Sequence, residues 1–127
     1  MGAGRYNQRV RFLSARRAPV AGLLIAAALG AVVAVRYARL DLTLSHYDAR
    51  GHLVVARRIG DSVTPGWQQV GAVWLPLPHL LNALPVQLDV LYRTGASGVA
   101  ISVASYAVAV AAVAWIDRKS TRLNSSH

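Results

Sequence analysis

Two long runs of uncharged, mostly apolar residues dominate the pattern along the chain. Residues 18–35 carry no charge over eighteen positions, and residues 98–116 carry none over nineteen. A helix needs roughly twenty apolar residues to cross the hydrocarbon of a bilayer, and both runs approach that length. The pattern therefore predicts an all-α membrane protein with two transmembrane helices, at residues 18–35 and 98–116.

The first run also has features of a cleaved signal peptide, because a basic segment, residues 1–17, precedes it. The run is long for such a segment, however, and it leads into Arg36 and Arg39 instead of a small-residue cleavage site. These features favour an uncleaved membrane anchor.

Residues 36–97, between the two runs, combine a helical pattern with a proline-broken apolar stretch. A helix is predicted from about residue 43 to Ile59, with Gly60 ending it. The stretch that follows the turn at residues 61–66 is as apolar as a span, but Pro76, Pro78 and Pro85 interrupt it. We therefore expect a juxtamembrane helix and then short helices at the membrane interface, with Trp67 and Trp74 as interface anchors.

Charge sets the expected orientation. The net charge is +9, with five Asp, no Glu and scattered arginines, which indicates contact with membrane lipids and not with nucleic acid. Five Arg precede the first run, and Arg118, Lys119 and Arg122 follow the second. The positive-inside rule then places both termini in the cytoplasm and residues 36–97 outside the inner (cell) membrane. The absence of Cys excludes disulfides and thiolate metal sites, and the sequence predicts neither a metal nor a cofactor.

Residues 117–127 change abruptly to polar composition. They are typical of translated adapter or vector sequence, which predicts a non-native tail and a natural protein that continues beyond Ile116. A genuine cytoplasmic tail is the alternative.

The candidate chemistry lies on the helix of the loop. At 100° per residue, Asp48 and His52 share a face with Val55, Ala56 and Ile59. An acid in the middle of an apolar stripe costs desolvation energy, so its presence suggests a base. The alternative is a capping box, in which Ser45 caps the helix and Asp48 bonds back to it.

The histidines and the paired arginines also admit ordinary interpretations. His46 and His52 are most simply interfacial or packed histidines, since no His-rich spacing indicates a metal. Arg57 and Arg58 are most simply a solvated or headgroup-contacting face, and the sharper hypothesis makes them ligands of a lipid phosphate.

An acid soon after the first span, a short helix, a Pro-Gly-Trp turn (residues 65–67) and a Trp-x-Pro-x-Pro segment (residues 74–78) together resemble the start of GT-C-type glycosyltransferases. These multi-spanning enzymes include protein O-mannosyltransferases and the aminoarabinose transferases of lipid A. The resemblance covers roughly residues 18–116. The family often shows an Asp-Glu pair, whereas this chain has Tyr47-Asp48-Ala49, so Asp41 is a rival of Asp48.

The resemblance implies that the chain is the N-terminal fragment of an enzyme that uses a polyprenyl-phosphate sugar donor, and that the fragment alone is inactive. It implies Asp48 as catalytic base, with Ala56 at the small position of the family's helix and the prolines near the donor lipid. The substrate-binding candidates are His52, Arg57, Arg58, Pro76, Pro78 and His79. Two other classes stay open: a small two-span scaffold or subunit without activity, and a transporter fragment with a re-entrant segment.

Overall fold

The computed structural model of the chain describes residues 3–70 and 74–124, and the side chains of residues 17–70 and 74–120. The described residues form helices and turns and contain no strand. Among the described residues, five α-helices follow one another: α1 (Ala3–Arg39), α2 (Tyr47–Arg58), α3 (Pro76–Asn82), α4 (Asp89–Thr94) and α5 (Ala96–Asn124). Two short 3₁₀ turns, Trp67–Val70 and Pro85–Gln87, lie between them. The predicted all-α architecture is confirmed.

Two of these helices contain segments long and apolar enough to cross a membrane, Arg17–Arg39 of α1 and Ala96–Ser120 of α5. Only 6% of the most apolar window of each is buried. An apolar core helix of a soluble protein would be mostly covered by other elements, so this exposure favours a lipid surrounding. The helices extend beyond the predicted runs: α1 includes most of the basic segment, and α5 continues into the polar residues as far as Asn124. Residues 125–127 of the expected tail lie outside the described residues.

The chain divides into two compact units. The first, here called the span unit, combines Met1–Ala31 with Val103–His127, and the second, the loop unit, is Val32–Ser102.

Within the span unit, small residues let α1 and α5 approach closely. Ala26 and Ala107 are each 3% exposed. A Cβ atom added to Gly30 would lie 3.0 Å from Cγ1 of Val103, and one added to Gly22 would lie 3.5 Å from Cγ1 of Val110. Gly22, Ala26 and Gly30 recur every four residues, which is the spacing of small residues in closely packed membrane helices.

Within the loop unit, a small core forms where α2 packs against its neighbours. Leu53, Ala56 and Val86 are buried, and Leu44 and Tyr92 pack against them. Pro76 and Pro85 each begin a helical turn, where their fixed φ suits the first position. The apolar stretch is thereby divided into short helical segments.

The end of α1 is a Schellman motif. The N–H of Leu42 donates to the carbonyl of Tyr37 (3.0 Å), and the N–H of Asp41 donates to the carbonyl of Ala38 (3.1 Å). Asp41 takes the left-handed conformation that this motif needs at its pivot, with φ 55°. Aspartate tolerates this conformation better than most residues, because its short polar side chain can bond locally.

The expected capping box of Ser45 and Asp48 does not form at the start of α2. The N-cap is His46, whose Nδ1 accepts a hydrogen bond from the N–H of Asp48 (3.3 Å). Ser45 lies before the cap, and its hydroxyl donates backwards to the carbonyl of Leu42 (2.8 Å). The side chain of Asp48 is therefore not part of a cap.

Candidate functional site

Asp48 lies in the first turn of α2, at the margin of the buried stripe and not in its middle. The side chains of α2 that are buried are Leu53 and Ala56, and the side chain of Asp48 is 41% exposed. The expectation of an acid centred on the apolar face was therefore wrong, because the helix turns Leu53 and Ala56 toward the core.

The carboxylate of Asp48 is available for chemistry. Among the described residues, its one titratable neighbour within 4.0 Å is His46, whose Nδ1 lies 3.7 Å away, too far for a hydrogen bond. The carboxylate accepts no hydrogen bond from residues 17–70 or 74–120, whose side chains the structure describes. It also lies at a helix N-terminus, where the partial positive charge favours an anion.

The rival Asp41 has a structural reason for its position, since it is the pivot of the turn that ends α1. Its side chain is exposed as well. The two aspartates thus differ in backbone conformation, which is left-handed at Asp41 and ordinary helical at Asp48.

Arg57 is committed to two carboxylates. Its Nε donates to Asp61 (3.0 Å) and its Nη1 to Asp89 (2.6 Å). The guanidinium also lies over the ring of Tyr92, with Cζ 4.6 Å from the ring centroid. The hydrogen bond with Asp89, and secondly that with Asp61, raises the pKa of Arg57, and the same bond with Arg57 lowers the pKa of Asp89.

Arg58, its neighbour, is exposed and forms no ion pair with the part of the chain that the structure describes. Consecutive helical residues point in directions about 100° apart, which explains why one arginine pairs and the other does not. Of the two candidate phosphate ligands, Arg58 is the one whose donors are accessible.

His52 and His79 meet across the loop unit. Nδ1 of His52 lies 2.8 Å from Nε2 of His79, and Nδ1 of His79 lies 2.6 Å from the carbonyl oxygen of Val70. His79 is fully buried, and this burial, chiefly, lowers the pKa of its imidazole. The carbonyl of Val70 opposes the shift, and the nearby charge of His52 adds to it.

Trp74, predicted to be an interface anchor, packs beside this pair. Its ring centroid is 4.8 Å from that of His52 and 6.1 Å from that of His79. Gly51 makes room for the indole, because a Cβ atom there would lie 2.8 Å from Cη2 of Trp74. Trp67, in contrast, is 77% exposed.

The two prolines of the candidate set lie in the first turn of α3. Pro76 begins that helix, and the carbonyl of Pro78 accepts a hydrogen bond from Nδ2 of Asn82 (2.9 Å). Both proline rings are exposed. Their position next to His79 places the proline segment, the histidine pair and α2 in one packed unit.

No group of three or more metal-ligating side chains occurs among the described residues. Comparison with known protein families, with characterised proteins and with solved structures found no match to this chain.

The partners of the candidate residues that were not anticipated from the sequence include the Val70 carbonyl, Trp74 and Asp89. Asp89 lies 32 residues from Arg57, and His79 lies 27 residues from His52. Helical periodicity relates residues three or four apart, so it carries no signal of such contacts. Gly51, a glycine inside a helix, was the available hint of a bulky neighbour.

Proposed function

We propose that this chain is the N-terminal part of an integral-membrane glycosyltransferase of the GT-C type. The enzyme moves a sugar from a polyprenyl-phosphate donor to an acceptor hydroxyl, and Asp48 removes the proton of that hydroxyl. The observation that carries the proposal is the uncommitted carboxylate of Asp48 at the start of the first helix after α1. Its rival Asp41 is already required by the turn that ends α1.

The donor phosphate is assigned to Arg58 in preference to Arg57. The guanidinium of Arg57 already donates to two carboxylates, so its charge is compensated and fewer of its N–H groups can bind a phosphate. The N–H donors of Arg58, in contrast, lie on an exposed face and are free. His79 is too deeply buried to contact the donor, so we assign it to positioning His52. His52 is half-buried and, one turn after Asp48, lies on the same side of α2. Pro76 and Pro78 hold the apolar segment that the polyprenyl chain follows.

The second candidate function, a two-span scaffold that binds partners through small residues, is less favoured. Scaffolding needs a small-residue face that is open to another protein. In the span unit, Ala26 and Ala107 are already buried, and Gly22 and Gly30 approach α5. The face formed by Gly22, Ala26 and Gly30 is therefore used inside the chain, while Ala104, Ala109 and Ala112 of α5 stay exposed.

Substitution of Arg58 tests the donor assignment. We expect Arg58→Gln to weaken binding of a polyprenyl phosphate by roughly tenfold or more, because a charge-assisted hydrogen bond contributes about 1.5–3 kcal/mol. Binding can be measured by native mass spectrometry of the chain in nanodiscs. Arg93→Gln is the matched control, since it removes the same charge from another exposed position of the loop unit. Equal binding by both variants and by the unchanged chain would contradict the assignment of Arg58 as the ligand of the donor phosphate.

The proposed topology places both termini in the cytoplasm and the loop unit outside the inner membrane. Because the chain has no Cys, single cysteines report accessibility without background. Val63 is fully exposed, so we expect Val63→Cys to react with a membrane-impermeant maleimide in intact cells. Ser14→Cys is expected to react only after lysis. Ser62 is a poor reporter, because its hydroxyl is buried. Labelling of Ser14→Cys in intact cells would show that the N-terminus lies outside, which contradicts the proposed orientation.

A further inference from the structure

The hydrogen bonds of the histidine pair determine where its protons lie. A carbonyl oxygen can only accept, so Nδ1 of His79 carries a proton that it donates to Val70. In neutral His79, Nε2 is then bare and accepts a hydrogen bond, and its donor is Nδ1 of His52. Neutral His52 therefore exposes the lone pair of its own Nε2. Both rings hold their proton on Nδ1, the less common form of histidine in water.

We propose that His52 and His79 form one shared proton-binding site that joins α2 to α3, with Nε2 of His52 as the atom that takes up the proton. One added proton leaves the contact intact, because an imidazolium and an imidazole still share an N–H···N hydrogen bond. That proton can pass to His79 through the shared bond. A second added proton leaves N–H groups on both facing nitrogens, 2.8 Å apart, and the contact breaks. The pair is thus a latch that holds one proton and opens with two.

The elements packed around His52 and His79 contain few titratable groups that could affect the protonation of the two rings. The 3₁₀ turns Trp67–Val70 and Pro85–Gln87, which pack against α2 and α3, contain no titratable residue. The only titratable residue of α3 is His79 itself. On α2, Asp48 precedes His52 by one turn, and Arg57 is neutralised by Asp61 and Asp89. Arg50 donates to the carbonyl of Leu44, Arg58 is exposed, and Tyr47 stacks on His46.

The burial of His79 determines how the stability of the latch changes with pH. The pKa of His79 in the folded loop unit is lowered below its ordinary value of about 6.5. As the pH falls, His79 of the unfolded chain therefore binds a proton before His79 of the folded loop unit does. The stabilisation from neutral His79 is fully present above about pH 6.5. It is lost progressively as the pH falls from there toward the lowered pKa. The latch therefore weakens on acidification.

NMR of the imidazole nitrogens tests the proposal on the full chain in detergent micelles, labelled with ¹⁵N at histidine. At high pH we expect His52 and His79 to be protonated on Nδ1. His46 is the internal control with the opposite form, since its Nδ1 accepts a hydrogen bond from Asp48. As the pH falls, the His52 and His79 signals should change together, and the indole signal of Trp74 should shift only when the second proton enters. A proton on Nε2 of neutral His79, or independent titration of the two rings, would overturn the shared site.

A variant provides the second readout. His52→Leu keeps the bulk of the ring but removes its charge and its N–H group. We expect the midpoint of His79 to move upward, because the repulsion from His52 is gone and its neutral form has lost a donor. His46→Leu is the matched control and should leave His79 unchanged. If the titration of His79 in His52→Leu matches that of the unchanged chain, the two rings do not share a proton.

Discussion

Asp48→Asn is expected to lower the proposed glycosyl transfer by the full-length protein by roughly two to four orders of magnitude, the usual contribution of a general base. The amide keeps the shape of the side chain but cannot accept the proton of the acceptor hydroxyl. Expression should stay near normal, because the cap of α2 uses the backbone N–H of Asp48 and not its carboxylate. The loss of a favourable charge at the helix start costs at most about 1 kcal/mol. The measurement is the rate of sugar transfer in membranes at equal protein level.

Asp41→Asn is the matched control for this experiment. Asparagine tolerates the left-handed conformation at the end of α1 as well as aspartate does, so the turn should persist. The variant should retain activity. Full activity of Asp48→Asn together with an inactive Asp41→Asn would move the catalytic role to Asp41. Full activity of both variants would reject the proposed mechanism.

Gly95→Ala and Gly98→Ala are expected to change the stability of the loop unit in opposite directions. Gly95 ends α4 with φ 72°, and a Cβ atom there would lie 2.6 Å from Cδ2 of Leu44. The left-handed conformation alone costs an alanine about 1–2 kcal/mol. Gly98 lies in the first turn of α5, where a Cβ atom would be in ordinary contact with Leu53 at 3.5 Å. Alanine there should stabilise by about 0.5–1 kcal/mol.

The two glycine variants together should therefore differ by roughly 1.5–3 kcal/mol in the free energy of opening the loop unit. Native-state hydrogen exchange of the amides of α2 measures that free energy in detergent. Each variant serves as the control for the other, because the substitution is the same and the sites are three residues apart. Equal effects of the two would mean that the turn at Gly95 is not needed for the packing of Leu44.

The helices themselves follow from local sequence. The two apolar runs predicted the segments that are long enough to span a membrane, and the residues before Gly60 predicted α2. The detail at the start of α2 did not follow, because Ser45 and His46 both offer a capping group. The structure caps the helix with His46, and the hydroxyl of Ser45 donates to the carbonyl of Leu42, which the turn after Asp41 brings close.

The candidate site was predictable in its residues but not in its connections. Asp48, His52 and Arg57 stand out by residue type on one short helix. The pairing of His52 with His79, and of Arg57 with Asp89, depends on how the segments after residue 60 fold back on α2. That path is set by packing around Leu53, Ala56 and Val86, which no spacing rule encodes. The distinction between Arg57 and Arg58 arises in the same way.

The prolines of α3 also change what this helix can face. The first four N–H groups of a helix normally lack partners, and each one costs several kcal/mol if it is removed from water into hydrocarbon. Pro76 and Pro78 have no N–H group, so the first turn of α3 begins with fewer orphan donors than an ordinary helix. Leu75 and Leu77, which flank Pro76, are 81% and 63% exposed. This helix end can therefore enter a low-dielectric layer at a smaller desolvation cost than a helix that starts with four amide protons.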